Sequence, residues 1–393
     1  MNYRQLFLDH VGQTSEAPLA LHITRAEACT MWDADDKPYL DLIGGISVCN
    51  VGHRHPKVVA AIKEQADKYL HIMVYGELVE SPQVIYAKRL TALLPENLNS
   101  VFYTASGSEA TETAMKIAKR YTGRSEIISF KKSYHGSTQG AMSVLGDADR
   151  QRAYRPLLPG IRQLNYNSLS DLEIISTQTA CVIAETVQSE AGVIAPHPEW
   201  LLALRKRCTE LGVLLVLDEI QCGFGRNGTL FAFMRYGVVP DILLLGKAMG
   251  AGMPIGAMIT DRSVMSAFST RPILGHMNTF GGHPVSCAAG LAGLQVLLEE
   301  KILDTVEERG ERFEQLLKHP KILEVRRVGL MLAVQFESFE INKAVIDKLL
   351  LLGVFTDWFL FESAALRIVP PLIITDTDIQ YACASILQAL DEL

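Results

Sequence analysis

The chain reads as an α/β protein: a mostly parallel sheet flanked by helices, with a smaller α+β lobe toward the C-terminus. Three observations predict this. From about residue 100 onward, short and almost continuously apolar runs of strand length recur, each followed by polar or glycine-rich residues and a helical stretch. Strands that lack apolar/polar alternation are buried on both faces, which in an alternating β/α order means a parallel sheet. A long helical segment then precedes a second, shorter set of strands. Finally, 393 residues are too many for one core of ordinary size, so two lobes with a cleft between them are expected.

In chain order, residues 1–45 carry the turn-forming stretch MWDADDKPYLDL, and the alternation from Tyr39 to Ile43 predicts a short strand. This segment is expected to join the smaller lobe. A helix is expected after GHRHP, with Pro56 in its first turn and Val59, Ile62, Ala66 and Tyr69 at helical spacing. A large domain over 46–283 takes strands at Val101 to Thr104, Glu126 to Phe130, Ala180 to Glu185, Val213 to Leu217, Ile242 to Leu245 and Ala257 to Thr260. Pro284 to Lys318 reads as almost wholly helical. Beyond it, Val325 to Phe336 reads as strand, Ile341 to Leu352 as helix, and the stretches around Val354 and Leu366 to Val369 as short strands. A connecting helix and small domain over 284–393 follow from that order.

Charge and composition exclude several classes. A net charge of −7 with no Lys/Arg stripe gives no field for a nucleic acid. The most apolar stretch, Val238 to Ile259, is interrupted by Pro240, Asp241, Lys247 and Pro254, so no membrane span is expected. Met1 to His10 carries Arg4, Asp9 and His10 and lacks the apolar run of a secretory signal. Seven widely spaced cysteines, an odd number, read as reduced thiols and a cytoplasmic location. Cys222 is expected to pack rather than react.

In an open parallel sheet, ligands sit beyond the carboxyl ends of the strands. Four such positions agree on one cofactor. Asp218 ends an apolar strand, so its carboxylate calls for a cationic partner such as a protonated pyridine nitrogen; capping the next turn is the alternative. Lys247 follows a buried strand among Gly246, Gly250, Gly252 and Gly256. Poor solvation there favours the free amine that forms imines, although a strand-end lysine can also snorkel to solvent. Ser106, Gly107 and Ser108 lie between a strand and a helix beginning near Glu109, which makes an anion site suited to phosphate or an ordinary helix cap. Tyr134 offers a flat face for an aromatic ring. His135 reads as a supporting residue, because nothing stands at metal-ligand spacing from it, and no metal is expected.

These pieces, in this order, resemble the class III aminotransferases of the fold type I pyridoxal-phosphate enzymes, the group of ornithine, acetylornithine, 4-aminobutyrate and diaminopelargonate aminotransferases. The similarity runs from DLIGGISVCNVGHRHP through TASGSEATE, YHGST, ETVQSEAG, LDEIQCGFGRNG, PDILLLGKAMGAGMPIGA and NTFGGHP to LRIVPPL. It implies a seven-stranded sheet in the large domain and pyridoxal 5'-phosphate as cofactor. It also implies a homodimer with shared active sites. Lys247 would hold the cofactor as an imine and shuttle protons, Asp218 would pair with the pyridine nitrogen, and Gln221 would meet the phenolic oxygen. Ser106, Gly107 and Ser108 would bind the phosphate, with Thr279 reaching that of the neighbouring subunit. Tyr134 would stack on the ring, with His135 and Glu185 in support.

On the substrate side the resemblance implies Arg367 and Glu190, with Ile46, Tyr75 and Ser137 nearby. Arg367 would grip the carboxylate of 2-oxoglutarate and pair with Glu190 otherwise; a purely structural salt bridge is the alternative. Ser137 departs from the arginine that ornithine, acetylornithine and 4-aminobutyrate enzymes carry there, and Ile46 from a tyrosine of ornithine aminotransferase. Thr186 and Ser189 replace a Pro and a Gly. The implied reaction is transfer of an amino group from an amine or ω-amino acid to an oxo acid. Acetylornithine or ornithine is the alternative donor, and an aminomutase, racemase or decarboxylase the rival chemistry.

Overall fold

Seven strands form the central sheet, in the order Ser100–Thr104, Gly256–Thr260, Ile242–Leu245, Leu214–Asp218, Thr179–Glu185, Glu126–Phe130, Ile161–Leu164. The computed structural model describes residues 1–393. Gly256–Thr260 runs antiparallel to both of its neighbours, and the remaining pairings are parallel. Every residue of the central strands Thr179–Glu185, Leu214–Asp218 and Ile242–Leu245 is buried, which is why their sequences show no alternation. Ile161–Leu164 escapes the sequence reading because it is an edge strand carrying Arg162 and Gln163.

The helix Gly107–Thr122 starts two residues earlier than expected. The Ser106 side chain caps it by accepting from the Glu109 N–H, and Gly123, at φ +70°, ends it. Its small residues Ala110, Thr111, Ala114 and Ala118 let it lie close against the sheet. Pro56 occupies the first turn of Pro56–Lys68, as expected.

The long helix expected over Pro284 to Lys318 is instead two. Pro284–Glu299 stops where Lys301 turns into the left-handed region at φ +51°, and Val306–Leu316 begins after one 3-10 turn. The strand expected over Val325 to Phe336 is a hairpin, Glu324–Val328 with Met331–Gln335. It turns at Gly329 (φ +59°), where a Cβ would lie 2.6 Å from the Arg226 carbonyl oxygen. This hairpin continues into Glu362–Ile368 and Trp358–Phe359, a four-stranded antiparallel sheet. A third sheet joins the two ends of the chain: Ile23–Glu27, Thr30–Asp33 and Pro38–Asp41 form a meander completed by the parallel strand Val354–Phe355. No helix is long and apolar enough to cross a membrane.

Arg226 locks these parts together. Fully buried, its guanidinium donates to the carbonyls of Leu330 (2.9 Å) and Pro370 (2.6 Å) and to Asn50 Oδ1 (2.6 Å), three segments far apart in sequence. Removing such a donor leaves buried acceptors unpaired. Arg226→Met is therefore expected to lower unfolding free energy by about 3 kcal/mol, read as a shift of the urea midpoint; an unshifted midpoint contradicts this role.

Candidate active site

The carboxyl ends of five strands meet at one cavity of about 200 Å³. Ser106, Gly107 and Ser108 follow the first, Tyr134 and His135 the second, and Glu185, Asp218 and Lys247 come from the ends of the other three. Gln221 and Ile220 close the floor beyond Asp218. Nine of the residues expected at a cofactor thus converge, although they are spread over 142 positions of sequence from Ser106 to Lys247.

Lys247 opens a 3-10 turn directly after Ile242–Leu245, with φ at +47°, an uncommon conformation for a residue bearing a Cβ. Its Nζ donates to Gln221 Oε1, leaving Gln221 Nε2 without a partner. The residue keeps some exposure through the cavity it lines, but protein crowds the amine closely. That burial pulls its pKa down to about 8, against the opposing pull of the Glu190 charge.

Asp218 is buried and held on both oxygens. The Ile220 N–H donates to Oδ1 at 3.0 Å, and His135 Nδ1 lies 2.6 Å from Oδ2. Burial alone would discharge His135, but Asp218 outweighs it and raises the histidine's pKa. His135 Nε2 is left unpartnered. Glu185 accepts from the N–H groups of Tyr134 (3.0 Å) and Ser189 (2.9 Å), fixing two loops at once; burial pushes its carboxyl up to about 7.

The start of Gly107–Thr122 forms a cradle. Ser108 Oγ accepts from the Ser137 N–H at 3.3 Å. At Gly136 (φ +123°) a Cβ would lie 2.1 Å from that same oxygen, so the two loops touch only because this residue is glycine. Free N–H groups at a helix start, beside a hydroxyl, suit an anion. An amine whose pKa burial pulls down, a buried acid, an orphaned amide donor and this cradle fit the donor set that pyridoxal phosphate requires.

Beside the cavity, Arg367 and Glu190 form a buried fork-to-fork pair, Nη1 to Oε1 and Nη2 to Oε2, each at 2.8 Å. Burial works against the Glu190 charge, but Arg367 and then Lys247 outweigh it and hold the carboxyl below its usual range. Sequence reasoning missed Asp357, whose Oδ1 sits 2.9 Å from Arg367 Nε. Its only signal was an acid between the short strands around 354 and 366.

Other expected residues lie elsewhere in the single chain. Ser137 is exposed, its hydroxyl 3.1 Å from that of Tyr134. Ile46, at φ +62°, is exposed outside the cavity. Tyr75 lines a separate hollow with Gln83, Tyr103 and Asn278. Thr279 is exposed and does not line the cavity. Cys222 is buried at the cavity floor, where burial pushes its thiol well up, in keeping with a packing role.

Comparison with known proteins identifies the family. The chain matches the family described as aminotransferase class-III over residues 11–390. It is similar to the acetylornithine aminotransferase of Methanopyrus kandleri, 36% identical over 386 residues covering 97% of this chain and 96% of that one. It is also similar to the putrescine aminotransferase of Pectobacterium atrosepticum, 38% identical over 377 residues covering 91% and 79%. Among solved structures, the ornithine aminotransferase of Toxoplasma gondii superposes with a TM-score of 0.92 at 30% identity, covering 99% of this chain and 93% of that one. An amine transaminase from an uncultivated Pseudomonas species, in its PLP-bound form, does so with a TM-score of 0.90 at 27% identity, covering 98% of each. With the match extending along nearly its whole length, the chain belongs to the class III aminotransferases, enzymes that depend on pyridoxal phosphate.

Proposed function

We propose that the chain transfers an amino group from the terminal primary amine of a short aliphatic donor, N-acetylornithine or ornithine foremost, to a dicarboxylic 2-oxo acid such as 2-oxoglutarate. The observation that carries this reading is the buried Glu190–Arg367 pair, next in the chain to Ser189 of the cavity lining and near enough for both charges to act on Lys247. A bidentate guanidinium suits a carboxylate, and a paired one presents no free positive charge to an amine. Acetylornithine aminotransferases among the relatives support the donor.

Bound pyridoxal phosphate supplies an aldehyde that accepts and returns the amino group, and a ring that stores the electron pair released at the donor carbon. The side chains of this chain then have separable tasks. The Lys247 amine would hold the cofactor, and its Nζ would take the proton from the donor's nitrogen-bearing carbon and later return one. Asp218, backed by His135, holds a proton on the ring nitrogen. Gln221 Nε2 would donate to the phenolic oxygen, and Ser106, Gly107 and Ser108 would hold the phosphate, with Tyr134 lining the same cavity. Glu190 neutralises Arg367 while an amine is bound and gives way to the oxo acid's carboxylate. A second copy of the chain completing the phosphate site through Thr279 is part of the proposal; Ile273, Leu274, Met277 and Phe280, exposed and apolar around it, support such a contact.

One observation favours a second donor. The chain carries Ser137, a hydroxyl, at the position where the resemblance expects the arginine that grips a donor carboxylate, which suits a diamine such as putrescine, the substrate named for one relative.

Two outcomes are expected. In a donor panel with 2-oxoglutarate, kcat/KM is highest for N-acetylornithine; a higher value for putrescine establishes the diamine reading, and activity with neither overturns both. In apoprotein, about a tenth of Lys247 is free amine at pH 7, far more than for an ordinary lysine, so cofactor uptake accelerates up to about pH 8 and then levels off. Uptake still accelerating at pH 10 contradicts a depressed amine.

A further inference from the structure

We infer that Asp357 is a positioning residue for the acid half of the reaction, holding Arg367 in place from behind while Glu190 is exchanged for a substrate carboxylate. The inference rests on the reading of Arg367 as the group that binds the oxo acid.

The guanidinium has two edges. Its Nη1 and Nη2 atoms face Glu190, the carboxylate that must leave. Its Nε faces Asp357 Oδ1 at 2.9 Å, and both of these atoms are shut off from solvent, although the Asp357 side chain as a whole is 35% exposed. The contact is an ion pair and not an aligned hydrogen bond, so its contribution is charge compensation. Two further anchors belong to the same short segment. Nη2 donates to the Trp358 carbonyl at 2.8 Å, and the guanidinium carbon stands 4.7 Å from the centre of the Phe359 ring. The Asp357 carbonyl in turn accepts from the Arg367 N–H at 3.0 Å, so the segment and the strand bearing Arg367 are tied together at the backbone.

A buried cation with one counter-ion becomes unpaired when that counter-ion turns away, and an unpaired buried charge is costly. Arg367 is 2% exposed, so it falls in this class. With Asp357 on the opposite edge, the guanidinium stays compensated throughout the exchange and has no reason to follow Glu190. Glu190 has only one other side-chain tie, accepting from the Leu360 N–H at 3.1 Å. The asymmetry makes the arginine the fixed part and the glutamate the exchangeable one, and it gives Asp357 a role in acid affinity without contact with either substrate.

The test compares Asp357→Asn, which keeps shape and removes charge, with Asp357→Ser and Arg367→Met, all as holoenzyme. Three quantities are read: KM for 2-oxoglutarate, the calorimetric Kd of glutarate, an unreactive dicarboxylate, and the single-turnover rate with the amine donor. Both Asp357 variants are expected to raise KM and Kd by about fivefold or more while leaving the amine step within about twofold. Unchanged KM and Kd overturn the inference, as does a parallel loss in the acid and amine steps, which would mark a merely structural residue. If Arg367→Met weakens glutarate and Asp357→Asn does not, the inference fails and the reading of Arg367 stands. If Arg367→Met leaves glutarate binding untouched, that reading fails and takes this inference with it.

Discussion

The arrangement depends on where the fold puts one amine. A lysine at the carboxyl end of a buried parallel strand cannot be hydrated as a surface lysine is, and the left-handed turn at Lys247 directs its side chain into a cavity lined by Asp218 and Glu185, within reach of the Glu190 charge. Burial lowers its affinity for a proton while these carboxylates oppose that loss, and the balance leaves the amine close to half-charged in mildly alkaline solution. An amine poised in this way can act as nucleophile and as proton carrier, which a fully protonated lysine cannot.

So much negative charge in an apolar core has to be managed, and the neighbouring residues do this one carboxylate at a time. Asp218 has His135, Glu190 has Arg367, and Glu185 has two backbone N–H donors. Glu219, next to Asp218 but turned to the other side of the strand end, accepts from the N–H groups of Ala232 and Phe233, both at 2.6 Å, and from the Thr186 hydroxyl at 2.9 Å. Burial pushes it up to about 7, and these three bonds tether the following loop to the strand end. The consequence is that each buried carboxylate around the cavity has a hydrogen-bond or ionic partner of its own.

Much of this was legible in the residues. Buried parallel strands announce themselves as unbroken apolar runs, and residues that follow such runs fall at the sheet's carboxyl edge, so Asp218, Lys247, Tyr134 and Ser106 to Ser108 could be picked out before any coordinates. What escaped was local geometry that apolar patterning does not encode. Arg162 and Gln163 hide the edge strand Ile161–Leu164, and the left-handed turns at Lys301 and Gly329 split a helix and a strand that read as continuous. Asp357 escaped for a different reason: its partner Arg367 is nearby in sequence, but nothing in the residue types says that the acid faces the Nε edge. Tyr75 and Thr279, expected near the substrate and cofactor, lie outside the cavity of a single chain, in a region whose neighbours include exposed apolar side chains.

The central claim is that Lys247 is the point of attachment, and chemical trapping tests it most directly. Holoenzyme reduced with borohydride, digested and sequenced by mass spectrometry should carry the pyridoxyl group on Lys247 and on no other lysine. A label on a different residue, or a reduced protein that carries none, would contradict the account.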